Sequence, residues 1–169
     1  DAELDNTTYE AAENKFLANN VSKATKGFKK YILAFPEGLH ALQANFYLAE
    51  LLVREGSEKE AISNYQYVIN QPQSEFSEQA LNKLSQILLE EEDWATAIPL
   101  LERLEEEANL PLNILYAQSN LMKGYYQSEA FSKAVAYAEK ILFQDKIEAT
   151  LEYDAKIIIH HYYIYNNGY

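Results

Sequence analysis

Cysteine is absent from this chain of 169 residues, which removes disulfides, thiolate metal ligands and a cysteine nucleophile together. The absence fits a cytoplasm and a bacterial periplasm equally. Glycine and proline are scarce, at five and four residues, so tight β-turns are few and long helices go uninterrupted. The chain is therefore expected to be all-α. No apolar run approaches the ~20 residues that a membrane-spanning helix requires. Basic residues are the minority, 14 against 26 acidic ones, giving a formal net charge of −12. A surface of that sign repels phosphate backbones and anionic lipid, so nucleic acid is not an expected partner, nor is direct membrane insertion by this segment. The acidic runs Glu90–Asp93 and Glu105–Glu107 read as solvated helix ends.

What is present is a globular balance, 48% hydrophobic and 24% charged, sufficient for one domain or for four to five small repeated units. The repetition is explicit. Ala24, Ala61, Ala97 and Ala134 each follow a short polar turn, at spacings of 37, 36 and 37 residues. Four residues after them stand Phe28, Tyr65, Leu101 and Ala138; three further on stand Tyr31, Val68, Leu104 and Ile141. Steps of four and three keep all three positions on one helix face. The preceding helix repeats as well, with Leu48, Leu84 and Leu121 thirteen residues before the last three alanines. Ala44, Ala80 and Ala117 lie four residues before those leucines, and Leu52, Leu88 and Tyr125 four after.

Boundary signals share this register. Thr7-Thr8-Tyr9-Glu10 and Ser57-Glu58-Lys59-Glu60 have the capping-box pattern, and Asp93 and Ser128 are expected N-caps. Gly56 suits a left-handed turn position, Pro36, Pro72 and Pro111 separate successive hairpins, and Pro99 is expected to bend its helix near the start. The predicted pairs are 7–18 with 21–35, 39–54 with 58–70, 75–91 with 94–107 and 112–127 with 130–143, followed by a ninth helix over 149–165. Connections this short make neighbours antiparallel.

Catalytic chemistry finds little support. His160 and His161 are adjacent, hence about 100° apart on a helix and poorly placed to share a metal; His40 stands apart from both. No serine sits in a G-x-S-x-G elbow, no glycine-rich loop could cradle phosphate, and no carboxylate pair stands out from the acidic background. No metal, no cofactor and no enzymatic activity are expected.

Tyr47-Leu48-Ala49-Glu50-Leu51-Leu52 with Gly56, Ala61, Tyr65 and Pro72 resembles the tetratricopeptide repeat family. So do Leu84, Leu88, Trp94, Ala97 and Leu101, and then Leu121, Tyr125, Phe131 and Ala134. Ala24, Phe28 and Pro36 match in the first pair, whose inter-helix turn looks one residue short, and the fourth pair lacks a terminal proline. The 36–37-residue period exceeds the family's usual 34. Phe35-Pro36-Glu37-Gly38 followed by Ala41, Ala44 and Phe46-Tyr47-Leu48-Ala49 is similar to a bacterial envelope subgroup that includes the Tol–Pal accessory protein and the outer-membrane assembly lipoprotein.

The resemblance implies a right-handed α-solenoid of antiparallel hairpins forming a single domain over 1–169. Its repeats would span about 7–36, 39–72, 75–109 and 112–145, with a partial fifth at 149–169. It further implies a non-catalytic scaffold that holds a protein or peptide in a concave groove. The groove positions would be Gln43, Phe46, Glu50 and Arg54, then Gln79, Asn82 and Gln86, then Tyr116, Ser119, Lys123, Tyr126 and Gln127. Glu10 and Glu50 stand where a clamp for C-terminal carboxylates would want positive or amide groups, which disfavours that specialisation. A regulatory or docking module of a larger enzyme or transport assembly is the alternative, and a solenoid for a glycan or small molecule a third. An envelope or periplasmic setting is expected ahead of the cytoplasm.

Fourteen tyrosines read mainly as repeat-core residues. The ninth helix is apolar nearly all round, and Asn166-Asn167-Gly168-Tyr169 reads as a turn into a missing helix. With Asp1 rather than Met at the start, the chain is expected to be a piece of a longer one, continuing into more repeats or self-associating through that helix.

Overall fold

A computed structural model describes residues 1–168, and among these the fold is all-helical. The helices are α1 (Ala2–Leu17), α2 (Val21–Ala34), α3 (Ala41–Arg54), α4 (Glu58–Asn70), α5 (Ser77–Glu90), α6 (Trp94–Glu107), α7 (Pro111–Gln127), α8 (Phe131–Leu142) and α9 (Ala149–Asn167). They group into two compact units, Asp1–Ile87 and the described residues from Leu88 on. In the first unit α1 packs on α2, α2 on α3 and α3 on α4; in the second α6 packs on α7, α7 on α8, and α9 on α8 and α7.

The alanine register is the core register. Ala24, Ala61, Ala97 and Ala134 are all completely buried, as are Phe28, Tyr65, Leu101 and Ala138, and Tyr31, Val68, Leu104 and Ile141. Small side chains at the first position let paired helices approach, and the larger ones fill the seam. Each fully buried large apolar side chain contributes roughly 1.5–3 kcal/mol relative to exposure. Where approach is closest, glycine replaces alanine. A Cβ on Gly27 would lie 2.8 Å from Ala12 Cβ and 3.0 Å from Ala12 Cα, and one on Gly124 would lie 2.9 Å from Trp94 Cε3.

The turns inside the hairpins share a device of which only the Gly56 instance is marked by a glycine in sequence. Gly56 is left-handed (φ 81°), and so are Asn19 (φ 56°), Glu92 (φ 57°) and Glu129 (φ 60°). All four close α1, α3, α5 and α7 in the same way. The next residue's N–H reaches back to a helix carbonyl: Asn20 to Lys15, Ser57 to Leu52, Asp93 to Leu88 and Ala130 to Tyr125, at 2.8–2.9 Å. This is a Schellman closure. The turn of the first pair has the same length as the others, so the apparent one-residue deficit there is a correction.

Other expectations are corrected too. Helix α1 begins at Ala2, capped by the Asp1 carboxylate accepting from Glu3 N–H. The Thr7 and Thr8 hydroxyls donate backwards to the Glu3 and Leu4 carbonyls in mid-helix, so neither caps. Ser57 occupies the N-cap of α4 without a side-chain cap bond. Ser128 ends α7, donating to Gly124 O, and Ala130 precedes α8. Asp93 caps α6 as expected, accepting from Thr96 N–H at 3.1 Å. Pro111 opens α7 rather than standing between hairpins, whereas α6 spans Trp94–Glu107 as expected, with Pro99 inside it. Helix α9 extends to Asn167 with Gly168 left-handed behind it, while Tyr169 lies outside the described residues.

Candidate functional site

In the first unit, α3 and α5 bring most of the expected positions onto one face. Glu50 is the hub: one carboxylate oxygen accepts from the Tyr65 hydroxyl of α4, the other from Gln79 Nε2 of α5 at 2.8 Å. Gln86 Nε2 donates to Asn82 Oδ1 at 2.6 Å along α5, and Arg54 reaches Asn19 Oδ1 at 3.3 Å. Gln43, Glu50, Asn82 and Gln86 are part-exposed, Gln79 and Arg54 exposed. Phe46 departs from the expectation of an exposed groove residue. It is 6% exposed, its ring stacked on Phe76 at 4.6 Å, because the turn before α5 folds an aromatic over it. Tyr47, outside the expected groove set, stays part-exposed and stacks on Phe16 of α1 at 4.8 Å.

In the second unit, Lys123, Tyr126 and Gln127 come together with Asp154, Ile157 and Ile158 of α9 around a depression of about 170 Å³. Tyr126 is held in place by its hydroxyl, 2.7 Å from His161 Nδ1, and by an edge-on contact with Phe131. Tyr116 and Ser119 do not line that depression; the Ser119 hydroxyl turns back onto the Leu115 carbonyl at 2.8 Å.

The tyrosine excess has a second use beyond packing, invisible in sequence spacing because the partners lie on other helices. Tyr65 donates to Glu50, Tyr125 to Glu102, Tyr137 to Glu105 at 2.7 Å and Tyr31 to Asp5 at 2.6 Å. Burial, together with the neighbouring carboxylate, pushes the Tyr65, Tyr125 and Tyr137 hydroxyls well above the ordinary phenol range and Tyr31 up to about 12. Around Asp5 the pairing becomes a network. Leu39 N–H donates to its second oxygen at 2.9 Å, His40 N–H donates to the Tyr31 hydroxyl, and the His40 ring stacks on Tyr9 with Nε2 at 2.7 Å from Asn6. Burial pushes the Asp5 carboxyl up, but the Tyr31 and Leu39 hydrogen bonds outweigh it and hold it below 3.8. A side chain at Gly38 would strike this network, 2.5 Å from the Tyr31 hydroxyl and 2.6 Å from Asp5. These groups lock the α2–α3 connection.

Among the described residues, no helix is long and apolar enough to cross a membrane, and no three potential metal-binding side chains cluster.

No curated protein matches this chain. Among solved structures, it is similar to YrrB, described as a tetratricopeptide repeat protein with an unusual peptide-binding site (18% identity, TM-score 0.69, covering 91% of this chain and 75% of that one). It is similar also to MamA (19%, 0.59, covering 83% and 72%) and to a tetratricopeptide repeat protein from Parabacteroides merdae (15%, 0.64, covering 97% and 67%). At these identities the likeness shows the tetratricopeptide fold. The model of the tetratricopeptide repeat-like domain matches residues 1–113, two thirds of the sequence. The chain belongs to the tetratricopeptide repeat-like family.

Proposed function

We propose that this protein is a non-catalytic scaffold that holds a segment of a partner protein against the first helices of its hairpins. The observation that carries the reading is the depression formed by Lys123, Tyr126 and Gln127 with α9, where a rigid aromatic and amide and charged groups converge on one surface. Amide donors and acceptors at Gln43, Gln79, Asn82 and Gln86 add main-chain hydrogen-bonding capacity on the first unit. A peptide-binding relative of the same fold supports it. The charge of −12 supports a protein partner over nucleic acid.

The test is partner recovery by the 169-residue chain carrying Gln79→Ala with Lys123→Glu, against a control with Gln66→Ala on α4. Loss of the partner in the first and retention in the second is expected. Equal recovery from both refutes the groove assignment. Phe46 is unsuitable for this experiment, since a buried phenylalanine cut to alanine costs ~3–5 kcal/mol of stability.

Residence in a bacterial envelope complex belongs to the same proposal and rests on the Phe35-Pro36-Glu37-Gly38 resemblance; fractionation of the native gene product tests it. Self-association through α9 is favoured by the exposure of Tyr153, Ile157 and Ile164. Light scattering that finds a monomer at all concentrations removes it.

A further inference from the structure

Beside the depression at Tyr126 lies a second, larger cavity of about 290 Å³, and its lining is chemically selective. Phe131, His161, Tyr162 and Tyr165 supply aromatic surface, Asn166 an amide and Glu129 a carboxylate. The rings of Phe131 and His161 stand almost perpendicular, at 84° with centroids 6.4 Å apart, and Tyr165 lies 6.5 Å from Phe131. Rings that meet at such an angle, rather than stacking, leave a corner between their faces. A cation placed there comes within ~6 Å of several ring centroids, the range of a favourable cation–π contact. Tyr126 braces the corner from behind through its contacts with His161 and Phe131.

Two further facts choose the sign of the ligand. Among the described residues no lysine or arginine lines the cavity, while Glu129 does. From Leu88 to Tyr169 the chain carries fourteen acidic and six basic residues, a net −8, so the surrounding field draws cations in. The geometry points to a receptor for one cationic side chain, a lysine ammonium or an arginine guanidinium, presented by the bound partner. Its volume lies at the small end of ligand pockets, suited to a single side chain rather than a folded segment. Glu129 has its place because the left-handed closure of α7 turns the chain there. The inference deepens the scaffold reading by naming a basic residue in the partner segment, and it rests on that reading only for the identity of the ligand's carrier.

The test uses free probes, so that it can fail independently of partner capture. The 169-residue chain is titrated with the N-acetyl methylamides of lysine, arginine and norleucine while the aromatic side-chain NMR signals are followed. Saturable shifts at Phe131 and Tyr165 with a cationic probe, at least several-fold tighter than with norleucine, are expected. Phe131→Leu should weaken the cationic probe by ~2–30-fold and Glu129→Gln by ~1.5–5-fold, with helix content unchanged by circular dichroism. Equal binding of norleucine would make the cavity merely apolar and overturn the proposal. So would the absence of saturable shifts with either cation. If Phe131→Leu fails to fold, Glu129→Gln alone decides, because its effect vanishes unless charge is recognised.

Discussion

Replacing Glu92 by glycine should stabilise the protein, and replacing Gly56 by alanine should destabilise it, both through backbone conformation. Both residues close a helix in the left-handed region, at φ 57° and 81°. A non-glycine residue there costs ~1–2 kcal/mol from the clash of Cβ with the following carbonyl. Glycine relieves that strain but loses more entropy on folding, by ~0.5–1 kcal/mol. The net expected for Glu92→Gly is therefore a gain of about 0.5–1 kcal/mol. Gly56→Ala runs the cycle in reverse, with a loss of about 1 kcal/mol. Gly56 is the clean member of the pair: a Cβ there meets nothing within 4 Å, so packing contributes neither way. For a chain of this size 1 kcal/mol moves Tm by ~2–4 °C. Thermal unfolding followed by far-ultraviolet circular dichroism reads both variants, and Trp94 fluorescence reports the neighbourhood of Glu92 separately. That second probe guards against the uneven unfolding expected of stacked repeats. A neutral or stabilising Gly56→Ala would refute the argument that backbone conformation governs these turns.

Gly27→Ala should destabilise by ~1–2 kcal/mol despite alanine's better helix propensity, because the added Cβ meets the Ala12 Cβ at 2.8 Å and overpacking outweighs propensity. Pairing it with Ala12→Gly should recover part of the loss in a double-mutant cycle of urea midpoints, and additivity would count against a tight α1–α2 seam. Leu84→Ala, at a completely buried site, should cost ~3–5 kcal/mol, whereas Leu33→Ala, 87% exposed, should stay within ~0.5 kcal/mol in the same measurement. At high pH the buried phenols resist ionisation. Their folded-state values are raised, so the stabilisation is complete below 10 and fades as pH climbs from there, through about 12 for Tyr31. The ring NMR signals of Tyr31, Tyr65, Tyr125 and Tyr137 should therefore report ionisation only in step with loss of helix, and earlier independent ionisation of these four would contradict the Tyr–carboxylate pairing. Asp5 has the opposite sign: its folded value is lowered, so its contribution is complete above 3.8 and disappears as pH falls through the folded value. A carboxyl NMR titration finding Asp5 at or above 3.8 would refute the network assigned to it.

Sequence alone determined the register of this fold. The 36–37-residue recurrence of alanine with larger apolar residues four and seven places on needs only helical periodicity to be read, and every one of those twelve positions is fully buried. Hairpin turns and most helix limits followed, since local chemistry such as the Asp93 cap and Gly56 acts over a few residues. Local patterns failed where one motif fits two structures. Thr7 and Thr8 carry a capping signature, yet with Asp1 already capping they bond back inside the helix. Asn19, Glu92 and Glu129 take the left-handed turn without being glycine, held there by the closure of the helices on either side.

The candidate site was legible only in outline. Helix phase puts Lys123, Tyr126 and Gln127 near one another, but that they meet Ile157 and Ile158 depended on how α9 docks. Phe46 shares that phase and is nevertheless covered by Phe76, thirty residues on. The Tyr–carboxylate pairs join residues 15–32 apart on different helices. Contacts of that kind are set by side-chain reach across a seam, which helical periodicity does not encode, and so tertiary packing alone decided which polar groups remain open to a partner.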